Sequence, residues 1–64
     1  MRVKIIQVWD MEIGLQLRVG TKLKRALQIA GISLKRECYR RGKSINLDTT
    51  LEQWDIICVM PDVF

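Results

Sequence analysis

The sequence predicts an α+β domain with one helix lying on one face of a small sheet, and three observations carry that prediction. Apolar and polar residues alternate over Met1–Trp9 and again over Ile13–Val19, the period-two pattern of half-buried strands. One helical stripe follows, with Leu23, Ala26, Leu27 and Ala30 at i, i+3, i+4 and i+7. Later, Ile56–Met60 forms an unbroken apolar run stopped by Pro61, which has no N–H to give a sheet. Hairpin, helix and further strands pack as two layers around one core.

Each element has its own signals. In the first strand Met1, Val3 and Ile5 face one way and Arg2 and Lys4 the other, until Ile5-Ile6 blurs the alternation. Asp10-Met11-Glu12 supplies a turn. In the second strand Ile13, Leu15, Leu17 and Val19 oppose Gly14, Gln16, Arg18 and Gly20, and the two strands form a hairpin. Thr21 is the expected helix N-cap, its hydroxyl accepting from an early backbone N–H. Gly31 is the expected stop. A helix of about ten residues is too short to persist alone, so it must lie on the hairpin. Leu34–Arg41 reads as a third strand with Gly42-Lys43 as its turn, and Ser44–Asn46 as a short fourth closed by Leu47-Asp48. Thr49 or Thr50 caps a turn carrying Leu51 and Trp54, and Ile56–Met60 is a final strand buried along its length.

Composition narrows the classes. At 64 residues the chain makes one domain, residues 1–64, and buries about 60% of the surface its unfolded form exposes. Its 48% apolar content is too high for disorder, and one proline and four glycines leave no flexible linker. The longest apolar run, Ile56–Met60, is far short of the roughly 20 residues a membrane helix needs. Arg2 and Lys4 interrupt any signal-like start, so a cytoplasmic protein without a membrane partner is expected. Cys38 and Cys58 then read as reduced, structural thiols. The net charge of +4 is unevenly spread: Arg18–Lys43 holds nine basic residues and one acid, whereas Ser44–Phe64 holds four acids and no base.

The order of elements and the segment Gly42-Lys43…Asp48-Thr49-Thr50-Leu51-Glu52-Gln53-Trp54-Asp55-Ile56 resemble the ubiquitin-like β-grasp family. Ubiquitin has there, without a gap, a Gly-Lys, then a Thr-Leu, then an aromatic and an isoleucine. The ending Asp55–Val63 looks more like the small sulfur carriers of the thiamine-carrier and molybdopterin-synthase small-subunit type. The resemblance covers the whole chain and implies a ββαββ β-grasp with one helix packed on a mixed sheet. It also implies that Trp54 is the loop-locking aromatic of the core. In the sulfur carriers a terminal Gly-Gly presents the reactive carboxylate, because only glycine threads a narrow activating site. This sequence has Val63-Phe64 instead, so as the mature end it is expected not to be adenylated or thiocarboxylated.

No residue pattern suggests catalysis. There is no histidine, no CxxC, no Walker loop and no GxGxxG, and Asp48, Glu52, Asp55 and Asp62 read as turn and cap acids. No catalytic residue, cofactor, metal or small-molecule substrate is therefore expected. Two surfaces remain. By the resemblance, Trp9 sits near the tip of the first hairpin and Tyr39 on the outward side of the third strand. With Ile57 and Val59 toward the helix, alternation turns Cys58 and Met60 outward. Trp9, Tyr39 and Met60 then form an apolar patch with Arg40 and Arg41 at its rim, suited to an acidic protein partner. The plainer alternative is that Trp9 covers a core end and Tyr39 is an ordinary exposed aromatic. The second surface is basic. Lys22, Lys24 and Arg25 crowd the helix start, where cations are disfavoured by roughly 0.3–1 kcal/mol each and anions are welcome. Arg36 and Lys43 add charge, although alternation separates Arg36 and Arg40 from Arg41. That face suits nucleic acid, as in the RNA-touching TGS relatives of the β-grasp, or is simply solvated. The expected function is non-enzymatic protein–protein recognition. RNA contact and a sulfur-carrier relative without its Gly-Gly are the alternatives.

Overall fold

Two hairpins and a terminal strand build one mixed sheet, with a single helix laid across one face. The computed structural model describes residues 1–61, so the Asp62-Val63-Phe64 ending compared with a Gly-Gly tail lies outside the described residues. The elements are β1 (Arg2–Gln7), β2 (Glu12–Gln16), α1 (Leu23–Ala30), β3 (Cys38–Arg40), β4 (Lys43–Ile45) and β5 (Ile56–Val59). Their order in the sheet is β2-β1-β5-β3-β4. β1 runs parallel to β5, and the other three pairings are antiparallel. The α+β class and the helix on one sheet face are as predicted. The element order is ββαβββ, one strand more than the ββαββ the resemblance implies; the short fourth strand predicted at Ser44–Asn46 is present as Lys43–Ile45, paired along its whole length with β3.

The core lies between α1 and the sheet. Val3, Ile5, Ile57 and Val59 come from the two central strands, and Leu23, Ala26 and Leu27 from the helix. Fully burying each large aliphatic side chain contributes roughly 1.5–3 kcal/mol, which is how an eight-residue helix persists. Gly31 ends the helix at φ 74°, donating its N–H to the carbonyls of Gln28 and Leu27. The β3–β4 turn is the two residues Arg41-Gly42, both at positive φ (53° and 76°), the twist a tight hairpin requires.

Several boundaries differ from the sequence prediction, each for a local reason. The helix N-cap is Lys22, not Thr21, and no side chain caps it; the Thr21 hydroxyl donates instead to the Arg18 carbonyl at 2.7 Å. β3 is far shorter than Leu34–Arg41, since residues 34–36 turn, with the Arg36 N–H donating to the Ser33 carbonyl. β2 ends at Gln16, so Val19 lies in a turn and is exposed. β5 is buried on one side only: Ile57 and Val59 face the helix, while Ile56 is 50% exposed.

Candidate functional site

With α1 covering one face, the other face of the sheet is open. Strand register decides what it presents. Val3 and Ile5 point to the helix, so Arg2, Lys4 and Ile6 point outward, with Lys4 beside Ile56 and Ile6 beside Cys58. Cys58 in turn pairs with Tyr39, and Tyr39 with Ser44. An apolar band of Ile56, Ile6, Cys58 and Tyr39 therefore crosses the sheet centre. Tyr39 is on the open face as predicted, its hydroxyl donating to Glu37 Oε2 at 2.9 Å, which raises its ionisation above the ordinary value of 10.0.

The two cysteines fall on opposite faces, Cys38 against the helix and Cys58 on the open side, and both are free. Burial pushes the Cys38 thiol above its ordinary 9.0, with Arg36 pulling weakly the other way. A raised acid keeps its proton in the folded state after the unfolded chain has lost it. Stability is thus full below the unfolded value and falls as pH rises past 9.0. Cys38→Val should flatten that alkaline decline in denaturation midpoints, and iodoacetamide should label Cys58 in the folded protein while sparing Cys38. Equal labelling of both would contradict the buried placement.

Trp9 and Met60 stand near one end of the open face. Trp9 occupies the β1–β2 turn, 92% exposed, and the Val8 N–H donates to the Val59 carbonyl at 3.0 Å, carrying the β1–β5 pairing up to Met60. The predicted basic rim divides. Arg40 turns inward, its Nη1 3.0 Å from Asp55 Oδ2 and 3.4 Å from the Thr50 carbonyl. Arg41 remains exposed on the β3–β4 turn.

The helix-start anion site is also altered. The Leu23 and Lys24 N–H groups donate to the carbonyls of Thr49 and Leu47 at 2.9 and 3.0 Å, and Lys22 bridges to Thr50. The donors an anion would need are engaged, although the side chains of Lys22, Lys24 and Arg25 are exposed. Arg36 is committed as well, donating Nε to the Met60 carbonyl at 2.7 Å and Nη1 to Gln7 Oε1 at 3.0 Å. Lys43 is exposed on β4, where it pairs in register with Arg40.

Two residues were misread from sequence. Trp54, expected as a core aromatic, is 70% exposed; only its backbone locks the loop, donating to the Arg2 carbonyl at 2.7 Å. The locking side chain is Asp55, expected as a plain turn acid but 5% exposed, which accepts from the Glu52 N–H at 2.7 Å and from Arg40. The signal available was the Arg40 and Asp55 pair of opposite charges, but nothing in linear spacing brings them together.

Trp54 instead walls an open groove of about 560 Å³ on the open face, whose lining includes Arg2, Lys4, Gly14, Gln16 and Ile56. Sequence reasoning missed it, because Gly14 and Trp54 are far apart in the chain. Among the described residues no three His, Cys, Asp or Glu side chains cluster to hold a metal, and no helix is long and apolar enough to cross a membrane. No protein-family model matches the chain, and no curated protein matches it.

Proposed function

We propose that the chain is a non-enzymatic protein-recognition domain of the ubiquitin-like β-grasp kind, binding an acidic partner through its open sheet face. One observation carries this reading. Trp9 and Trp54 both hold left-handed backbone, at φ 66° and 67°, and both are largely exposed. A non-glycine residue there costs about 1 kcal/mol or more, and each ring gains little burial in exchange. Asparagine or glycine would serve both turns better, so the rings are best explained by contact with another molecule. The β-grasp part is supported by the single helix on one face of a mixed sheet with β1 and β5 paired at its centre. In the recognition itself, Trp9, Tyr39, Met60 and Trp54 act as apolar anchors, while exposed Arg2 and Arg41 select acidic groups.

The test is capture of partners by the full chain after nuclease treatment. An acidic protein should be retained, and Tyr39→Ala should weaken it about tenfold or more at constant salt. Recovery that disappears with nuclease, or binding that falls steeply with salt without sequence preference, would replace this reading with nucleic-acid contact.

A further inference from the structure

Gly14 sits in the middle of β2, where the fold itself has no need of a glycine. Its φ is not positive, and a β-carbon there would meet no atom within 4 Å. Glycine inside a strand weakens it, and it often marks close approach of a ligand or another backbone. β2 is also an outer strand of the sheet. The Leu17 N–H donates to the Met1 carbonyl at 2.8 Å and the Gln7 N–H to the Met11 carbonyl at 3.4 Å. Alternation along an antiparallel pair then directs the odd-numbered residues of β2 toward β1. The N–H and C=O groups of Glu12, Gly14 and Gln16 point away from the sheet, and among the described residues no strand lies beyond them.

We propose that this edge takes an added strand: an extended acidic segment of a partner protein, antiparallel to β2, with an aromatic side chain opposite Gly14. The ring lies over Gly14 into the groove, between Arg2 and Lys4, toward Ile56 and Trp54. An aromatic covering a glycine on the neighbouring strand is a favourable cross-strand pair. This inference rests on the protein-recognition reading and identifies the contact that reading would use.

Charge selects the occupant. Arg2 and Lys4 flank the groove and Arg18 is exposed just past the end of β2, while Glu12, 3.8 Å from Lys4, is the one acid on the strand. Antiparallel pairing sets the partner residue two positions before the aromatic opposite Gln16, beside Arg2, so an acid belongs there. A second copy of the chain fits poorly. Pairing about Gly14 would set glycine against glycine, leave both grooves empty and bring together two bodies of net charge +4. The opposite edge is guarded: β4 is three residues long and carries Lys43, whereas β2 has five residues in continuous register without lysine or proline.

A fluorescein-labelled threonine-rich peptide with one central phenylalanine and a glutamate two positions before it tests the assignment by anisotropy. Saturable binding to the full chain is expected. Gly14→Val should weaken it about tenfold or more without lowering the unfolding midpoint, since valine suits strands and has room there. Replacing the peptide's phenylalanine by alanine, or N-methylating its alternate amides, should weaken it to a similar degree. Unchanged affinity in Gly14→Val, or no saturable binding to the native chain, overturns the assignment. So does a concentration-dependent dimer, seen by sedimentation, that Gly14→Val abolishes. If the peptide fails while Tyr39→Ala still abolishes capture of an acidic protein, only the edge assignment falls; if both fail, the recognition reading falls with it.

Discussion

Asp55→Ala is expected to destabilise the fold by about 3 kcal/mol, because it breaks a buried ion pair from its more buried side. The carboxylate accepts the Glu52 N–H and the Arg40 guanidinium, and Arg40 also reaches the Thr50 carbonyl. Together they tie the loop before β5 to the end of β3. A domain of this size has a total stability of roughly 3–10 kcal/mol, so the loss is a third of it or more. The thermal midpoint should fall by roughly 12–24 °C. Asp55→Asn keeps an acceptor for the Glu52 N–H and should fall between the native chain and Asp55→Ala. Glu52, exposed and 3.9 Å from Arg40, contributes little by comparison, and Glu52→Ala should stay within about 0.5 kcal/mol. Urea denaturation of the three variants decides the matter. A small effect of Asp55→Ala would mean that the carboxylate is solvated and the loop held by its backbone alone.

Trp9→Asn and Trp54→Asn should separate stability from recognition. Asparagine tolerates left-handed backbone, so neither substitution should destabilise the domain, and either can stabilise it by up to about 1 kcal/mol. Partner affinity should move the other way, by about 2 kcal/mol or more for a central anchor. Chemical denaturation and a binding titration on the same two variants give both numbers. A stability loss for Trp54→Asn matching a core truncation would show the ring packed inward and remove it from the recognition surface. Unchanged binding in both variants would leave their exposure without a recognition role.

The elements that were readable in sequence are those whose signal is local. The period-two runs of β1 and β2 and the Leu23/Ala26/Leu27 stripe each report which side faces the core, because side-chain direction follows from backbone geometry alone. Gly31 marked the helix end for the same kind of reason. Cys58 and Met60 were placed outward by alternation from Ile57 and Val59. The errors came where a distant partner overrides a local preference. Thr21 looks like a cap, yet the carbonyls of Leu47 and Thr49 satisfy the helix start. Trp54 looks like a core residue by type and by resemblance, yet Asp55 locks the loop because Arg40 reaches it across the sheet end.

What the sequence by itself determined is therefore the α+β class and the faces of the hairpin and helix. Those follow from periodicity and composition, which a chain carries without folding. The tertiary structure alone decided the sheet order β2-β1-β5-β3-β4, the Arg40–Asp55 lock, the engagement of Arg36 and the groove joining Gly14 to Trp54. Each of these depends on residues far apart in the chain, and the pairings of β1 with β2 and β5, and of β3 with β5, bring them into contact.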